Sequence, residues 1–163
     1  MKNKFLLMGW PFGCPHSVHL PYQNDYDMLS IENSIIEILI NNQCDLTYKV
    51  HPDRQNETLD LYRDRIKKYE LKKFEKIYNK YDVIIFSYPH TTTFFYALDK
   101  CRNIIFFDNK LENYLDEKSY KYIDQKAIII NYSRIKNNNF KFDENKINNY
   151  LKKERKNEYS TYS

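Results

Sequence analysis

Four short and uninterrupted apolar runs constrain the fold of this chain more than any other feature. They occupy residues 5–8, 83–86, 104–107 and 127–130 and are rich in β-branched and aromatic side chains. A strand without polar alternation must be buried on both faces, which is typical of parallel sheets. A weaker run at residues 46–50, stopped by His51 and Pro52, is a further predicted strand. Stretches of helical period separate these runs, so the pattern predicts strands and helices in alternation.

The expected helices follow from apolar spacing and capping residues. A first helix carries Met28, Ile31, Ile35, Ile38 and Leu39, with Asp25 as the predicted N-cap. Residues 56–81 are predicted to be strongly helical, as one helix or two consecutive ones. Their expected buried stripe comprises Leu59, Tyr62, Ile66, Tyr69, Phe74, Ile77 and Tyr78. Further helices are predicted over residues 91–98 and 111–123 and, capped by Asp143, near the end of the chain.

Five strands joined by right-handed crossovers predict an α/β domain with a doubly wound, mostly parallel, five-stranded sheet of Rossmann-like type. The simplest strand order is 2-1-3-4-5. With 163 residues, the chain has the length of one domain. We therefore expect a single α/β domain over residues 1–157 and a frayed tail over residues 158–163.

Charge and cysteine usage restrict the partners and the compartment. The net charge of +4 arises from 26 basic and 22 acidic residues that interleave along the chain, so no nucleic-acid partner is predicted. Cys14, Cys44 and Cys101 form no C-x-x-C pair, which favours a reducing compartment. The apolar patch before Cys14 is shorter than a signal-peptide core. We expect a cytoplasmic protein with at most a peripheral contact to the inner membrane.

Ligands of doubly wound sheets bind at the carboxyl ends of the strands, where the winding direction reverses. This rule selects the loops after the first and third predicted strands. The first loop contains Gly9 and Gly13, the only glycines of the chain, where a missing side chain would let a ligand approach the backbone. We expect both glycines to belong to a nucleotide or phosphate site.

The loop after the third predicted strand places hydroxyl groups at the start of a helix. Ser87 ends the strand, and Thr91, Thr92 and Thr93 open the helix beside backbone N–H groups that lack helical partners. Together with the positive end of the helix dipole, these groups suit a phosphate or pyrophosphate. The alternative is that one threonine caps the helix and the others lie on the surface.

His51 and Pro52 follow the second predicted strand, and Lys49 lies near the end of that strand. A histidine at the carboxyl end of a strand can donate to a phosphate or to a base edge, and a proline fixes the turn that presents it. Lys49 adds a positive charge just before this turn. All three are predicted to belong to the same phosphate or nucleotide site.

Other constellations are less complete. Cys14, His16 and His19 could supply three metal ligands, but a closed zinc site needs a fourth and no partner motif is evident, so no metal is expected. The chain lacks a P-loop, a G-x-G-x-x-G fingerprint and a G-x-S-x-G elbow, which disfavours NTPase, classical dinucleotide-binding and serine-hydrolase roles. No cofactor is predicted.

Taken together, these segments resemble a known family. The order runs from Lys49 through His51-Pro52 to a helical stretch, then to the strand ending at Ser87 and to Thr91–Thr93. It is similar to the C-terminal domain of GT-B transferases of surface carbohydrate synthesis. That group includes capsule and lipooligosaccharide transferases, sialyl- and polysialyltransferases, and CDP-glycerol glycerophosphotransferases. The resemblance spans about residues 4–151, and it implies that the His-Pro and Ser/Thr motifs bind the donor nucleotide and its phosphates.

The resemblance implies a nucleotide-sugar or CDP-alcohol binding domain of a glycosyl- or glycerophospho-transferase in capsule polysaccharide or lipopolysaccharide synthesis. A complete enzyme of this kind has an N-terminal acceptor domain that usually supplies the catalytic base, and this chain begins almost directly with the second domain's first strand. The catalytic base is unassigned, and Asp108 is the best match for an expected acidic residue. We expect a second domain, partner chain or homodimer. The alternatives are half of a nucleotide-sugar 2-epimerase and a non-catalytic nucleotide-binding or assembly module.

Overall fold

The computed structural model describes residues 3–12, 24–52, 59–110, 115–136 and 139–160, with side chains described up to residue 153. The strands are β1 (Lys4–Met8), β2 (Asp45–Lys49), β3 (Tyr69–Glu70), β4 (Val83–Phe86), β5 (Ile104–Asp108), β6 (Ile128–Arg134) and β7 (Phe140–Phe142). The longer helices are α1 (Asp25–Asn41), α2 (Thr92–Lys100), α3 (Glu117–Lys126) and α4 (Glu144–Ser160). Gly13, Cys14, His16 and His19 lie outside the described residues.

The strands form one mostly parallel sheet in the order β3-β2-β1-β4-β5-β6-β7. Each neighbouring pair is parallel except β6 and β7, which are antiparallel. The predicted α/β class is confirmed, and the five predicted strands keep their expected relative order. The expected number of strands was wrong, because β3 and β7 extend the sheet at its two edges. Strands of two and three residues carry too little apolar sequence to be recognised.

Helices cover both faces of the sheet, which explains the uninterrupted apolar runs. In β1, Phe5 and Leu7 pack with residues of α1 and α4, whereas Leu6 and Met8 pack with residues of α2 and α3. The same alternation divides β4 and β5 between the two cores. Side chains of one strand point to opposite faces, so a strand covered by helices on both faces has no polar position.

The helical prediction for residues 56–81 was largely wrong. The described part of this segment is helical at residues 59–61, turns at 62–65, forms β3, and continues as two 3-10 turns, Phe74–Lys76 and Tyr78–Lys80. Tyr62 and Ile66 are buried with the α1 face, but Phe74 and Ile77 are buried with the α2 face. The segment passes around the edge of the sheet, so the apparent stripe combines two separate apolar faces that no single helix could serve.

Several boundaries also differ from the prediction. Asn24, and not Asp25, caps α1, because its side chain accepts from the Asp27 N–H group. The helix expected over residues 111–123 is α3, which begins after its N-cap Asp116, and residues 111–114 lie outside the described part. The predicted cap Asp143 does accept from the N–H group of Lys146 (3.1 Å).

Within the described residues, the helices are too short or too polar to cross a membrane.

Candidate functional site

The winding direction reverses between β1 and β4, so the carboxyl ends of these neighbours form the expected crevice. The chain continues there as Gly9 and Trp10 after β1 and as Ser87 and Tyr88 after β4. The Gly9 N–H group donates to the carbonyl of Lys49 at the end of β2 (3.0 Å). The structure therefore brings the loops predicted from sequence to one edge of the sheet.

Tyr88 bridges this crevice. Its hydroxyl donates to the carbonyl of Gly9 (3.0 Å), and its ring meets that of Trp10 edge-on with centroids 4.9 Å apart. Trp10 in turn donates through Nε1 to Asp25 Oδ1 at the start of α1 (2.8 Å). Burial raises the pKa of Tyr88, so its hydroxyl stays protonated and acts as a neutral donor. The two aromatic rings thus close the base of the crevice and tie β1, β4 and α1 together.

A buried carboxylate lies beneath Trp10. Glu32 of α1 is fully buried, and its Oε1 accepts from the Trp10 N–H group (2.6 Å). Its Oε2 accepts from the hydroxyls of Tyr48 (2.7 Å) and Tyr62 (2.8 Å). Burial raises the pKa of Glu32 to about 7, although all three hydrogen bonds act in the opposite direction. We refer to Glu32, Trp10, Tyr48 and Tyr62 as the Glu32 cluster.

The Glu32 cluster was missed by sequence reasoning, although a signal was present. Glu32 lies at helical spacing from Met28, Ile35 and Leu39, so it belongs to the apolar stripe that the first helix buries. A carboxylate at such a position needs donors from other elements. Tyr62 belongs to the segment whose path was wrongly predicted, and that donor could not have been identified.

Gly9 has a packing function in this cluster. A Cβ atom at Gly9 would lie 2.4 Å from the hydroxyl oxygen of Tyr48 and 2.5 Å from its Cζ atom. Tyr48 is itself fully buried and held by Glu32. The missing side chain of Gly9 therefore accommodates the Tyr48 ring, whether or not a ligand approaches the same backbone.

The start of α1 is acidic. Asp25 and Asp27 lie in its first turn, and Asp27 is paired with Arg134 of β6 by two hydrogen bonds of 2.9 and 2.7 Å. Asp27 is buried and Arg134 is about one-third exposed. The positive end of the α1 dipole is therefore already matched by carboxylates of the protein, which disfavours a phosphate at this helix.

The start of α2 has the opposite character, with no acidic residue in its first turn. Thr91 is the N-cap, and its Oγ1 accepts from the Phe94 N–H group (3.1 Å). Thr92 is exposed and Thr93 is half-buried. The N–H groups of Thr92 and Thr93 are first-turn donors with no acceptor inside the helix. The capping alternative thus holds for Thr91, while the helix start stays open to an anion.

Ser87 lies between β4 and this helix start. It is fully buried, and its Oγ has no hydrogen-bond partner among the described residues. A buried hydroxyl without a partner costs roughly 1–3 kcal/mol. Such groups are often retained where a ligand supplies the missing partner.

Lys49 and His51 lie at the end of β2. Lys49 is only 5% exposed, and its ammonium group donates to the Val50 carbonyl (2.7 Å). Burial lowers the pKa of Lys49, an effect that Glu70 and Glu75 oppose. His51 is half-buried and Pro52 is exposed. Lys49 therefore holds the backbone at Val50, directly before His51.

Asp108 ends β5 beside the crevice. It is fully buried and accepts a hydrogen bond from the Tyr120 hydroxyl of α3 (3.2 Å), and the Lys110 ammonium lies 5.2 Å from the centre of the Tyr120 ring. Asp108 is thus oriented by α3, one strand away from the start of α2.

Comparisons of the chain with protein-family models, with curated proteins and with solved structures returned no match.

Proposed function

We propose that this domain binds a nucleotide-activated sugar or alcohol through its phosphates at the start of α2. The observation that carries the proposal is the contrast between the two helix starts at the switch point. The α1 start holds Asp25 and Asp27, whereas the α2 start has no acidic residue. Ser87, in the loop that leads into α2, has a buried hydroxyl with no hydrogen-bond partner among the described residues. Backbone N–H groups and the helix dipole at such a start favour a bound phosphate.

The other predicted site residues take supporting roles in this proposal. The hydroxyls of Thr92 and Thr93 add donors to the backbone N–H groups, and Thr91 fixes the first turn as its cap. His51 and Pro52 form the neighbouring wall after β2, where the imidazole donates to the base or a phosphate. Lys49 holds that wall through the Val50 carbonyl. Gly9 keeps the β1 loop flat against Tyr48, and Gly13 belongs to the same loop in sequence.

In this proposal the domain is the donor half of a GT-B-like transferase of surface polysaccharide synthesis. Its contribution to catalysis is stabilisation of the charge on the departing nucleotide. The base would come from a second domain, a partner chain or a second copy. Glu32 is unsuited to that role because it is fully buried, and a base must reach within about 3 Å of the proton that it removes.

The packing at the base of the crevice favours a second candidate, a nucleotide-binding module without catalysis. Trp10 and Tyr88 fill the base of the crevice, and the carboxyl with a near-neutral pKa is inaccessible behind them. A single Rossmann-like domain also forms only one wall of a transfer site.

Turnover of nucleotide sugars distinguishes these functions. If the purified chain binds a nucleotide sugar but consumes it only after a second polypeptide is added, the result supports the transferase. Consumption of a UDP-sugar by the chain alone supports the epimerase alternative instead.

Thr92 allows a sharp test of binding. Thr92→Asp places a carboxylate in the first turn of α2, where it favours the helix but repels a phosphate. Thr92→Asn, of similar size and uncharged, is the matched control. We expect CMP, CDP, UDP or GDP at millimolar concentration to raise the melting temperature of the wild type and of Thr92→Asn, but not of Thr92→Asp. The proposal fails if no nucleotide shifts the folded wild type, or if Thr92→Asp responds equally.

A further inference from the structure

A basic cleft lies on the segment that follows β3. Lys72, Lys73, Lys76 and Lys80 line a concavity of about 500 Å³. These lysines occupy and flank the two 3-10 turns, so their spacing is fixed by backbone structure. We call this surface the lysine cleft. It is separate from the residues that we assign to the nucleotide site.

The net charge of the protein is concentrated in this segment. Residues 67–80 contain six lysines and two glutamates, which gives a net charge of +4, equal to that of the whole chain. The remaining residues contain twenty basic and twenty acidic side chains. The charge is therefore not spread over the surface, as the interleaved sequence pattern suggested.

The two glutamates of the segment interact with groups other than the cleft lysines. The negative charges of Glu70 and Glu75 favour the charged form of the buried Lys49 ammonium and so oppose the lowering of its pKa by burial. Glu70 also accepts from the backbone N–H group of Lys72 (2.9 Å) and forms a hydrogen bond with the Tyr81 side chain. None of the four cleft lysines forms an ion pair with a carboxylate in the part of the chain that the structure describes.

The turns that carry the lysines are firmly anchored. Phe74 and Ile77 are buried, and the Phe74 ring contacts the rings of Phe86, Tyr78 and Tyr96. In a 3-10 turn, residues three positions apart lie on the same side, as Lys73 and Lys76 do. Four like charges held on one surface repel each other, and an anion that they share removes that repulsion.

We propose that the lysine cleft binds a polyanion with at least two neighbouring phosphate groups. Ammonium groups act as point charges and recognise phosphate without a fixed planar geometry. Two sources have this chemistry: a soluble oligophosphate and the headgroups of an anionic membrane. Leu71, which is 45% exposed beside Lys72, would provide an apolar contact to a membrane. This inference is independent of the proposed nucleotide site.

The experiment uses tripolyphosphate in calorimetry and vesicles of phosphatidylglycerol or phosphatidylcholine in sedimentation. The test variant carries Lys→Gln at all four cleft positions, Lys72, Lys73, Lys76 and Lys80. The matched control carries the same change at the exposed Lys118, Lys121, Lys152 and Lys153, which alters the net charge equally. Circular dichroism and urea unfolding verify the fold of both.

We expect the wild type to bind tripolyphosphate, phosphatidylglycerol vesicles or both, with an affinity that falls as salt rises. The cleft variant should lose roughly tenfold or more in affinity, and the control variant should lose little. Binding to tripolyphosphate alone identifies a soluble ligand, and binding to vesicles alone identifies a membrane. Binding to neither, or an equal loss in both variants, overturns the proposal. In the calorimetry all three proteins also carry Thr92→Asp, which removes any binding of tripolyphosphate at the proposed phosphate site of α2, so this test and the nucleotide test fail separately.

Discussion

The helices α1 and α2 begin at the same edge of the sheet, yet the charges of their first turns differ. At α1, Asp25 and Asp27 supply negative charge from within the protein, and the buried Glu32 lies two turns further along. At α2, Thr91 supplies one neutral cap and the first turn carries no carboxylate. Both starts present the same unpaired N–H groups and the same dipole. The two starts therefore differ in whether carboxylates of the protein lie beside these N–H groups.

Under the proposed function, this difference separates the part of the crevice that stabilises the fold from the part that binds the ligand. On the α1 side, Trp10, Tyr48 and Tyr62 form a cluster with Glu32. Both carboxylate oxygens of Glu32 accept hydrogen bonds from these residues. On the α2 side, the Ser87 hydroxyl has no hydrogen-bond partner in the described part of the chain. Substitutions in the Glu32 cluster should therefore act mainly on folding stability, whereas substitutions at the start of α2 should act mainly on ligand binding.

The largest expected effect comes from Gly9→Ala. The added methyl group would lie 2.4 Å from the Tyr48 hydroxyl, and the buried ring cannot move without breaking its hydrogen bond to Glu32. Overpacking costs roughly 1–3 kcal/mol and a lost bond to a charged group roughly 1.5–3 kcal/mol, so we expect a destabilisation of about 4 kcal/mol. Urea unfolding followed by the fluorescence of Trp10, the only tryptophan, measures it. A cost near that of the surface variant Thr92→Ala would show that the cluster is loosely packed.

The pH dependence of stability tests the same cluster. The pKa of Glu32 is raised from its ordinary value of 4.5 to about 7, so the native state holds this proton more tightly than the unfolded state does. The contribution of Glu32 is therefore fully present below pH 4.5 and is lost as the pH rises toward 7, by about 3 kcal/mol. The free energy of unfolding of the wild type and of Glu32→Gln, measured from pH 4 to 8, isolates the contribution of Glu32. Equal pH profiles would contradict the assignment.

Tyr62→Phe should have a smaller effect that depends on pH. The Tyr62 hydroxyl donates to Glu32 Oε2 (2.8 Å), and removing this donor raises the pKa of Glu32 further. We expect a loss of about 2 kcal/mol at pH 8, where the carboxylate is charged, and about 1 kcal/mol at pH 5. Tyr26→Phe, at an exposed tyrosine of α1, is the control and should be neutral at both values. A pH-independent loss for Tyr62→Phe would show that packing, and not the hydrogen bond, is removed.

The parts of this molecule that sequence reasoning captured are those with strong local signals. The apolar runs of β1, β4 and β5 and the spacing in α1 define buried elements by themselves. The switch-point rule then placed the loops after β1 and β4 at one edge. The turn around the sheet edge was not captured, because Tyr62 and Phe74 serve opposite faces and only the folded chain separates them.

Polar networks were also beyond sequence reasoning. The roles of Gly9 and Glu32 depend on Tyr48, which comes from a neighbouring strand, and no local pattern links these three positions. The lysine cleft was hidden for a similar reason. Its glutamates interleave with the lysines in sequence, but in the structure none of the four cleft lysines forms an ion pair with a described carboxylate.

The smallest expected effect comes from the two caps, and it compares the helix starts directly. Asn24→Ala and Thr91→Ala each remove one acceptor for a first-turn N–H group, so each should cost about 1 kcal/mol. A nucleoside diphosphate that binds at α2 should stabilise Asn24→Ala as much as the wild type, because the α1 start takes no part in binding. Thr91→Ala should gain less, because the loop that presents the phosphate donors loses its fixed turn. Thermal unfolding of the three proteins with and without the nucleotide measures both quantities. Equal nucleotide-induced shifts in the two cap variants would mean that the ligand does not distinguish the helix starts, and that their contrasting charge has no role in binding.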